Sequence, residues 1–232
     1  DWSSDVCSSD LYFGLLEVFY PPPRFRSLEN IADIEVVISH NGNDDSTSPV
    51  GVIQTDDKVE LSYNSDEAIH LCHVKCNPPL DSSGDICFWK VTVGEPLVAT
   101  RSWLTLGIIG SNRSASDVYR RYGWTCEADF QTPARFTPNA VRDGIWPGFT
   151  GGECLYFCFQ LNTLYMYSVQ KESMYAIDDI ADAAAGGYCI YFYFITSQLE
   201  DEISVTLEPL EQDRSEEHTS ELQSHSDLVC RL

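Results

Sequence analysis

Basic side chains are scarce. The 232-residue chain carries 14 Lys and Arg against 36 Asp and Glu, for a formal charge of −22. General nucleic-acid binding needs cations to neutralise phosphates, so the composition argues against it. No apolar run reaches the length of a membrane span; the longest, residues 187–196, is strand-like, and no membrane association is expected. Catalytic signatures are also missing. There is no Gly-rich phosphate loop, no nucleophile elbow and no His-Glu-x-x-His motif. Outside the tails the only histidines are His40, His70 and His73, so any triad would have to use one of them. The chain is therefore read as a binding module and not an enzyme, with no cofactor.

The two ends differ from the middle. Residues 1–11 (DWSSDVCSSDL) and 214–232 (RSEEHTSELQSHSDLVCRL) are polar, Ser-rich and without useful periodicity. With suitable codons, one DNA strand encodes Asp1–Leu11 while its reverse complement encodes Arg214–Ser224. Both ends resemble translated sequencing-library adapter, and they are set aside as artefactual tails. The chain does not begin with Met, so the natural N-terminus is expected to lie elsewhere. Between the tails, a sequence of this size suits one sandwich-type domain with a substantial core.

Seven cysteines remain there: Cys72, Cys76, Cys87, Cys126, Cys154, Cys158 and Cys189. Most lie in apolar, strand-like runs, their number is odd and their spacing irregular. A reducing, cytoplasmic setting is expected over a disulfide framework. The segment His70–Cys76 offers two His and two Cys, as a zinc site would. In a strand, however, His70, Cys72 and Cys76 share one face and His73 the other, and ordinary strand residues are the better reading. Cys154 and Cys158, on one strand face, are likewise expected to pack in the core. No metal site is expected.

Periodicity indicates many short strands. Residues 12–20 are apolar and end at Pro21-Pro22-Pro23; residues 33–39 read as a strand and 40–48 as a polar loop. Residues 50–55 and 58–63 flank Asp56-Asp57 as a hairpin. Residues 68–75 alternate weakly, and Asn77–Gly84 is expected to break the chain. Two further strands, Cys87–Gly94 and Trp103–Gly110, lead to the Tyr122-Gly123-Trp124 turn. A long irregular segment follows over about 125–152, of a length that is usually functional or mobile. Residues 153–169 read as two strands around Leu161-Asn162-Thr163. The pattern predicts one short helix over 173–185, stopped at Gly186-Gly187. Residues 188–197 and 202–208 close the domain as strands. The fold class is all-β: an antiparallel two-sheet β-sandwich with one short helix.

The order of these pieces is similar to the SPRY domain family. Phe88-Trp89-Lys90-Val91 after Ser82-Ser83-Gly84 stands where that family has a Trp-Glu-Val strand. Leu106-Gly107-Ile108-Ile109 matches its apolar-Gly-apolar strand, and Tyr122-Gly123-Trp124 its Tyr-Gly-Trp turn. Gly152-Glu153, Leu164–Tyr167, Tyr188–Phe194 and Ile203–Leu207 follow in order. Lys90 replaces the usual acid, and Gln160-Leu161-Asn162 replaces a Leu-Asp turn. The resemblance covers residues 59–210; residues 12–58 are an N-terminal extension or the first strands of the sandwich. It implies a jelly-roll sandwich that recognises protein through loops at one rim, without catalysis.

Charge singles out the same rim. Arg101, Arg113, Arg120, Arg121, Arg135 and Arg142 fall between residues 101 and 142, opposed there by Asp117, Glu127 and Asp129. With the nearby aromatics they make the candidate partner-binding set: Arg113, Tyr119, Arg120, Arg121, Tyr122, Trp124, Arg135, Arg142 and Trp146. Arg, Tyr and Trp are enriched at interface hot spots, and Arg holds a carboxylate in a bidentate fork. The expected partner is a protein or an acidic or polar peptide. Two other readings stand beside it: the substrate-recognition end of a tripartite-motif-type ubiquitin ligase, and a carbohydrate-binding lectin using His40–Asp45. Asn112-Arg113-Ser114 is a glycosylation sequon, which matters only in a secreted protein.

Overall fold

The computed structural model describes residues 25–27, 34–40, 50–64, 70–80, 86–95, 97, 102–114, 121–127, 133–137, 146–160, 162–180, 187–196 and 202–209. Fourteen strands run in chain order: β1 (Phe25–Ser27), β2 (Glu35–His40), β3 (Val50–Gln54), β4 (Val59–Asn64), β5 (His70–Leu80), β6 (Ile86–Val93), β7 (Ser102–Gly110), β8 (Arg121–Thr125), β9 (Arg135–Phe136), β10 (Cys154–Gln160), β11 (Thr163–Ser168), β12 (Ser173–Ile177), β13 (Tyr188–Thr196) and β14 (Glu202–Pro209). An eight-stranded sheet follows the order β12-β11-β10-β6-β14-β4-β3, with β1 added to β6; a six-stranded sheet follows β2-β5-β13-β7-β8-β9. All pairs are antiparallel except β1 with β6.

Alternation builds the core. In β4, Val59, Leu61 and Tyr63 are buried while Glu60 and Ser62 are only partly covered. The inward residues of β7 (Leu104, Leu106, Ile108) and β13 (Ile190, Phe192, Phe194) meet Trp89, Val91, Leu155 and Phe157 of the other sheet in one cluster. Rings bridge the layers: Tyr63 stacks on Phe194 at 5.6 Å, and Phe159 meets Tyr188 edge-on at 5.4 Å. Each such pair contributes about 0.5–1.5 kcal/mol beyond its buried area. Trp89 anchors the centre, buried and stacked on its cross-strand partner Phe157 at 5.3 Å.

Three local features differ from the expectations above. Asn77–Leu80 does not break the chain: β5 continues to Leu80. Tyr188 pairs with Leu80 and Ile190 with Cys76, so β5 carries extra residues there. The bulge takes up Pro78 and Pro79, which have no N–H to give a regular ladder. The short helix is not formed where its first turns were expected. Ser173–Ile177 is β12, in register with Leu164–Ser168 of β11. Its Tyr175 packs edge-on against Trp146 at 4.5 Å, and Ile177 is buried, so tertiary packing outweighs the weak helical pattern. Residues 181–186 of the expected helix lie outside the described set. Among the described residues there is no α-helix.

The third difference concerns the long segment 125–152. Its described part is tied to the core. Trp146 donates its indole N–H to Thr125 O at 2.6 Å, and Phe149 is fully buried. Glu153 closes the segment: its carboxylate accepts from Thr150 N–H, Thr150 Oγ1 and Ser168 Oγ and pairs with Lys171.

Proline also sets the edge of β6. Strand β14 pairs with it from Val93 down to Trp89, ending at Pro209. Short β1 then occupies the next positions, Ile86–Phe88. β10 takes the opposite edge of β6.

Candidate partner-binding site

The site lies on the outer face of the six-stranded sheet. Successive side chains of a strand point to opposite faces. Since Leu106, Ile108, Phe192 and Phe194 face the sandwich, Trp103, Thr105 and Ile109 of β7 and Cys189, Tyr191 and Tyr193 of β13 face outward. Apart from Thr105, these outward residues form a second buried cluster with Ala134 and Phe136. His73 of β5, opposite Tyr193 in the ladder, shares that face.

Strands β7 and β8 approach closely here because Gly107 faces Gly123 in the register. A Cβ on Gly107 would lie 1.9 Å from Tyr122 O, and one on Gly123 2.2 Å from Leu106 O. Any side chain at either position would force the strands apart.

Arg121 opens β8 and is 7% exposed. Its guanidinium carbon lies 4.2 Å from the centre of the Phe136 ring and 4.8 Å from that of Tyr193. These rings come from β9 on one side and β13 on the other. Desolvated cation–π contacts of this kind contribute about 2 kcal/mol. Nη1 donates to Tyr191 Oη at 3.4 Å. Tyr191 Oη lies 2.6 Å from His73 Nδ1. A guanidinium can only donate, so Tyr191 accepts from Arg121, and the direction of its bond with His73 Nδ1 follows the imidazole tautomer. Burial, and then the nearby Arg121 charge, push the His73 pKa down to about 4. His73 also stacks on Tyr193 at 4.4 Å. Burial raises the Tyr191 pKa, so its hydroxyl stays protonated.

Polar capacity on this face is not fully used. Among the described residues, three buried side-chain atoms have no hydrogen-bond partner, and two of them, Arg121 Nε and Thr105 Oγ1, are here. No carboxylate among the described residues pairs with Arg121; the ion pairs seen involve Lys58, Lys90 and Lys171.

The sequence-derived set is spread over two environments. Tyr122, Trp124 and Trp146 are buried on the sandwich side, where Trp124 packs against Phe157 and Tyr122 against Tyr188. They present no surface to a partner. Arg121 alone of the set joins the outer-face cluster. Arg135 is partly buried and donates from Nη1 to Ala176 O at 3.2 Å, linking β9 to β12 of the other sheet. Arg113, in the turn after β7, is partly exposed; its carbonyl accepts from Lys75 Nζ at 3.2 Å, as does that of Ser111 at 3.1 Å. Tyr119, Arg120 and Arg142 lie outside the described residues, as do residues 41–45 of the lectin reading.

Sequence reasoning missed His73, Thr105, Phe136, Tyr191 and Tyr193 as site residues. The signal was present as Tyr191-x-Tyr193, two hydroxylated rings on one face of an otherwise apolar strand. Cys72 and Cys76 do turn into the core, away from His73. Burial pushes both thiol pKa values up to about 12, which disfavours the thiolate. No group of three His, Cys, Asp or Glu among the described residues is placed to hold a metal ion.

No family model and no curated protein matches the chain. Solved structures do. The chain is similar to the SPRY domain of human HERC1 at 11% identity and a TM-score of 0.47, covering 66% of this chain and 89% of that one. It is similar to a human SPRY domain at 12% identity and 0.43, covering 68% and 94%. The potassium-bound carbohydrate recognition domain of Emp46p matches at 9% and 0.48, covering 79% and 95%. At these values the likeness carries no argument about ligands, and the two-sheet sandwich stands on the chain's own strand pairing.

Proposed function

We propose that this chain is a protein-binding module that docks an acidic peptide segment on the β7–β9 side of its six-stranded sheet. The observation that supports it is local charge. In a chain of −22, Arg113 and Arg121 sit in the turn after β7 and at the start of β8, neighbouring strands of one sheet, with Arg135 on adjacent β9 turned toward β12 of the other sheet. Long-range attraction toward such a patch raises encounter rates with acidic partners and rejects basic ones. The surrounding acidic surface sharpens that discrimination.

The test uses charge reversal at the partly exposed cation. Arg113→Glu is preferred over reversal at Arg121, whose burial would turn the change into a folding defect, and at Arg135, which ties β9 to β12. A fluorescein-labelled Glu-rich peptide is titrated with wild-type and Arg113→Glu protein and followed by anisotropy. Wild type is expected to bind it and to ignore a Lys-rich peptide of equal length. The variant should lose at least tenfold in affinity, with an unchanged melting temperature. Equal affinity for both peptides, or no loss on reversal, contradicts the proposal.

A further inference from the structure

The outer face holds a buried cation whose Nε has no partner among the described residues, and we infer that Arg121 is a carboxylate-binding residue, with Tyr191 and Thr105 beside it. This deepens the peptide-docking reading and rests on it for the source of the carboxylate.

An arginine side chain that is taken out of water without a carboxylate loses hydration that ring contacts only partly replace. An unpaired buried donor costs about 1–3 kcal/mol, and more when it is charged. Among the described residues Nε has no partner, and Nη1 makes a long bond to a neutral hydroxyl. A purely structural residue at this position would be better served by Met or Leu. The arrangement is economical if an anion completes it.

The geometry selects the kind of anion. Phe136 and Tyr193 lie against the guanidinium carbon, and Tyr191 takes Nη1. Nε is the nitrogen left without a partner among the described residues. A planar carboxylate lies in the guanidinium plane and accepts from its Nε side. A tetrahedral phosphate would press its out-of-plane oxygens toward the rings. Thr105 Oγ1 is the second unpartnered donor on this face, at the ladder position opposite Tyr193. Arg121, Phe136 and Tyr193 each keep 7–8% exposure, and the outward parity of Arg121 keeps it out of the sandwich core.

The carboxylate comes from an Asp or Glu side chain or from a peptide C-terminus; both present the same group. Sodium acetate reads that shared chemistry. Wild-type protein is titrated with acetate, and with chloride at matched ionic strength, while arginine Nε–H resonances are followed by NMR. Arg121→Met assigns the resonance by removing it. A saturable shift of the Arg121 Nε–H with acetate and not with chloride is expected. No shift, or an equal shift with chloride, overturns the inference. Two hexapeptides then separate the sources: one with Glu and capped ends, one without acids and with a free C-terminus. The peptide whose carboxylate is used shifts the same resonance. A Glu-rich peptide that binds through Arg113 while the Arg121 signal stays still also overturns the inference, and leaves the docking reading intact. Acetate binding without any peptide binding does the reverse.

Discussion

The two faces of the six-stranded sheet are made by the same strands and differ in what they leave unfinished. Toward the sandwich, β7 and β13 present Leu104, Leu106, Ile108, Ile190, Phe192 and Phe194, all apolar and closed against the other sheet. Away from it they present Thr105, Tyr191 and Tyr193, which meet Arg121 and His73. Both faces are buried. On the outer one, Arg121 Nε and Thr105 Oγ1 have no hydrogen-bond partner among the described residues. Burial alone therefore does not mark a residue as structural; unspent polar capacity within a buried cluster is the more telling property.

The largest expected contrast comes from truncating each side. Trp124 is buried against Phe157 on the sandwich side. Trp124→Ala should cost about 3–5 kcal/mol in denaturant unfolding. A loss below about 1 kcal/mol would break the assignment of this face to stability.

A smaller effect follows from pH on the outer face. The folded pKa of His73 is lowered to about 4 from an ordinary 6.5, by burial first and by Arg121 second. The unfolded chain therefore takes up the proton first as pH falls. The stability linked to His73 is intact above about pH 6.5 and declines as pH drops from there toward 4. His73→Gln should flatten that limb of a melting-temperature profile. An unchanged slope between pH 6.5 and 4 would show that His73 is not held neutral.

The smallest effect is expected at Thr105. Its buried hydroxyl has no partner, so Thr105→Val removes an unmet donor at constant shape. Stability should stay level or rise by up to about 1 kcal/mol by thermal unfolding. A clear loss would mean that the hydroxyl is already engaged within the fold.

These contrasts also show what the sequence made legible. Strands with strict alternation, such as Val59-x-Leu61-x-Tyr63, could be read because one face is polar. The Asp56-Asp57 hairpin was readable from turn chemistry, and Gly107 from its place in an apolar strand. Residues 173–177 were misread because Ser-Met-Tyr-Ala-Ile has no strong period, and Tyr175 is fixed as a strand residue by Trp146, 29 positions earlier in the sequence. The candidate site was legible in its location and not in its membership. Clustering of Arg pointed to the segment after β7, but chain order cannot tell which Arg turns inward. Strand register decides that. It pairs Ile109 with Arg121 and Tyr191 with Gly107, and so brings three distant strands to one guanidinium. The same parity sends Tyr122 and Trp124 into the sandwich.

The central claim is that Arg121 is kept for recognition and not for stability. Replacing it with methionine tests this most directly, because Met keeps the length and the ring contacts and removes only charge and donors. Unfolding of Arg121→Met should occur at or above the wild-type temperature, while the affinity for the Glu-rich peptide falls by at least tenfold. A variant that unfolds several degrees lower and binds the peptide as wild type does would contradict the account.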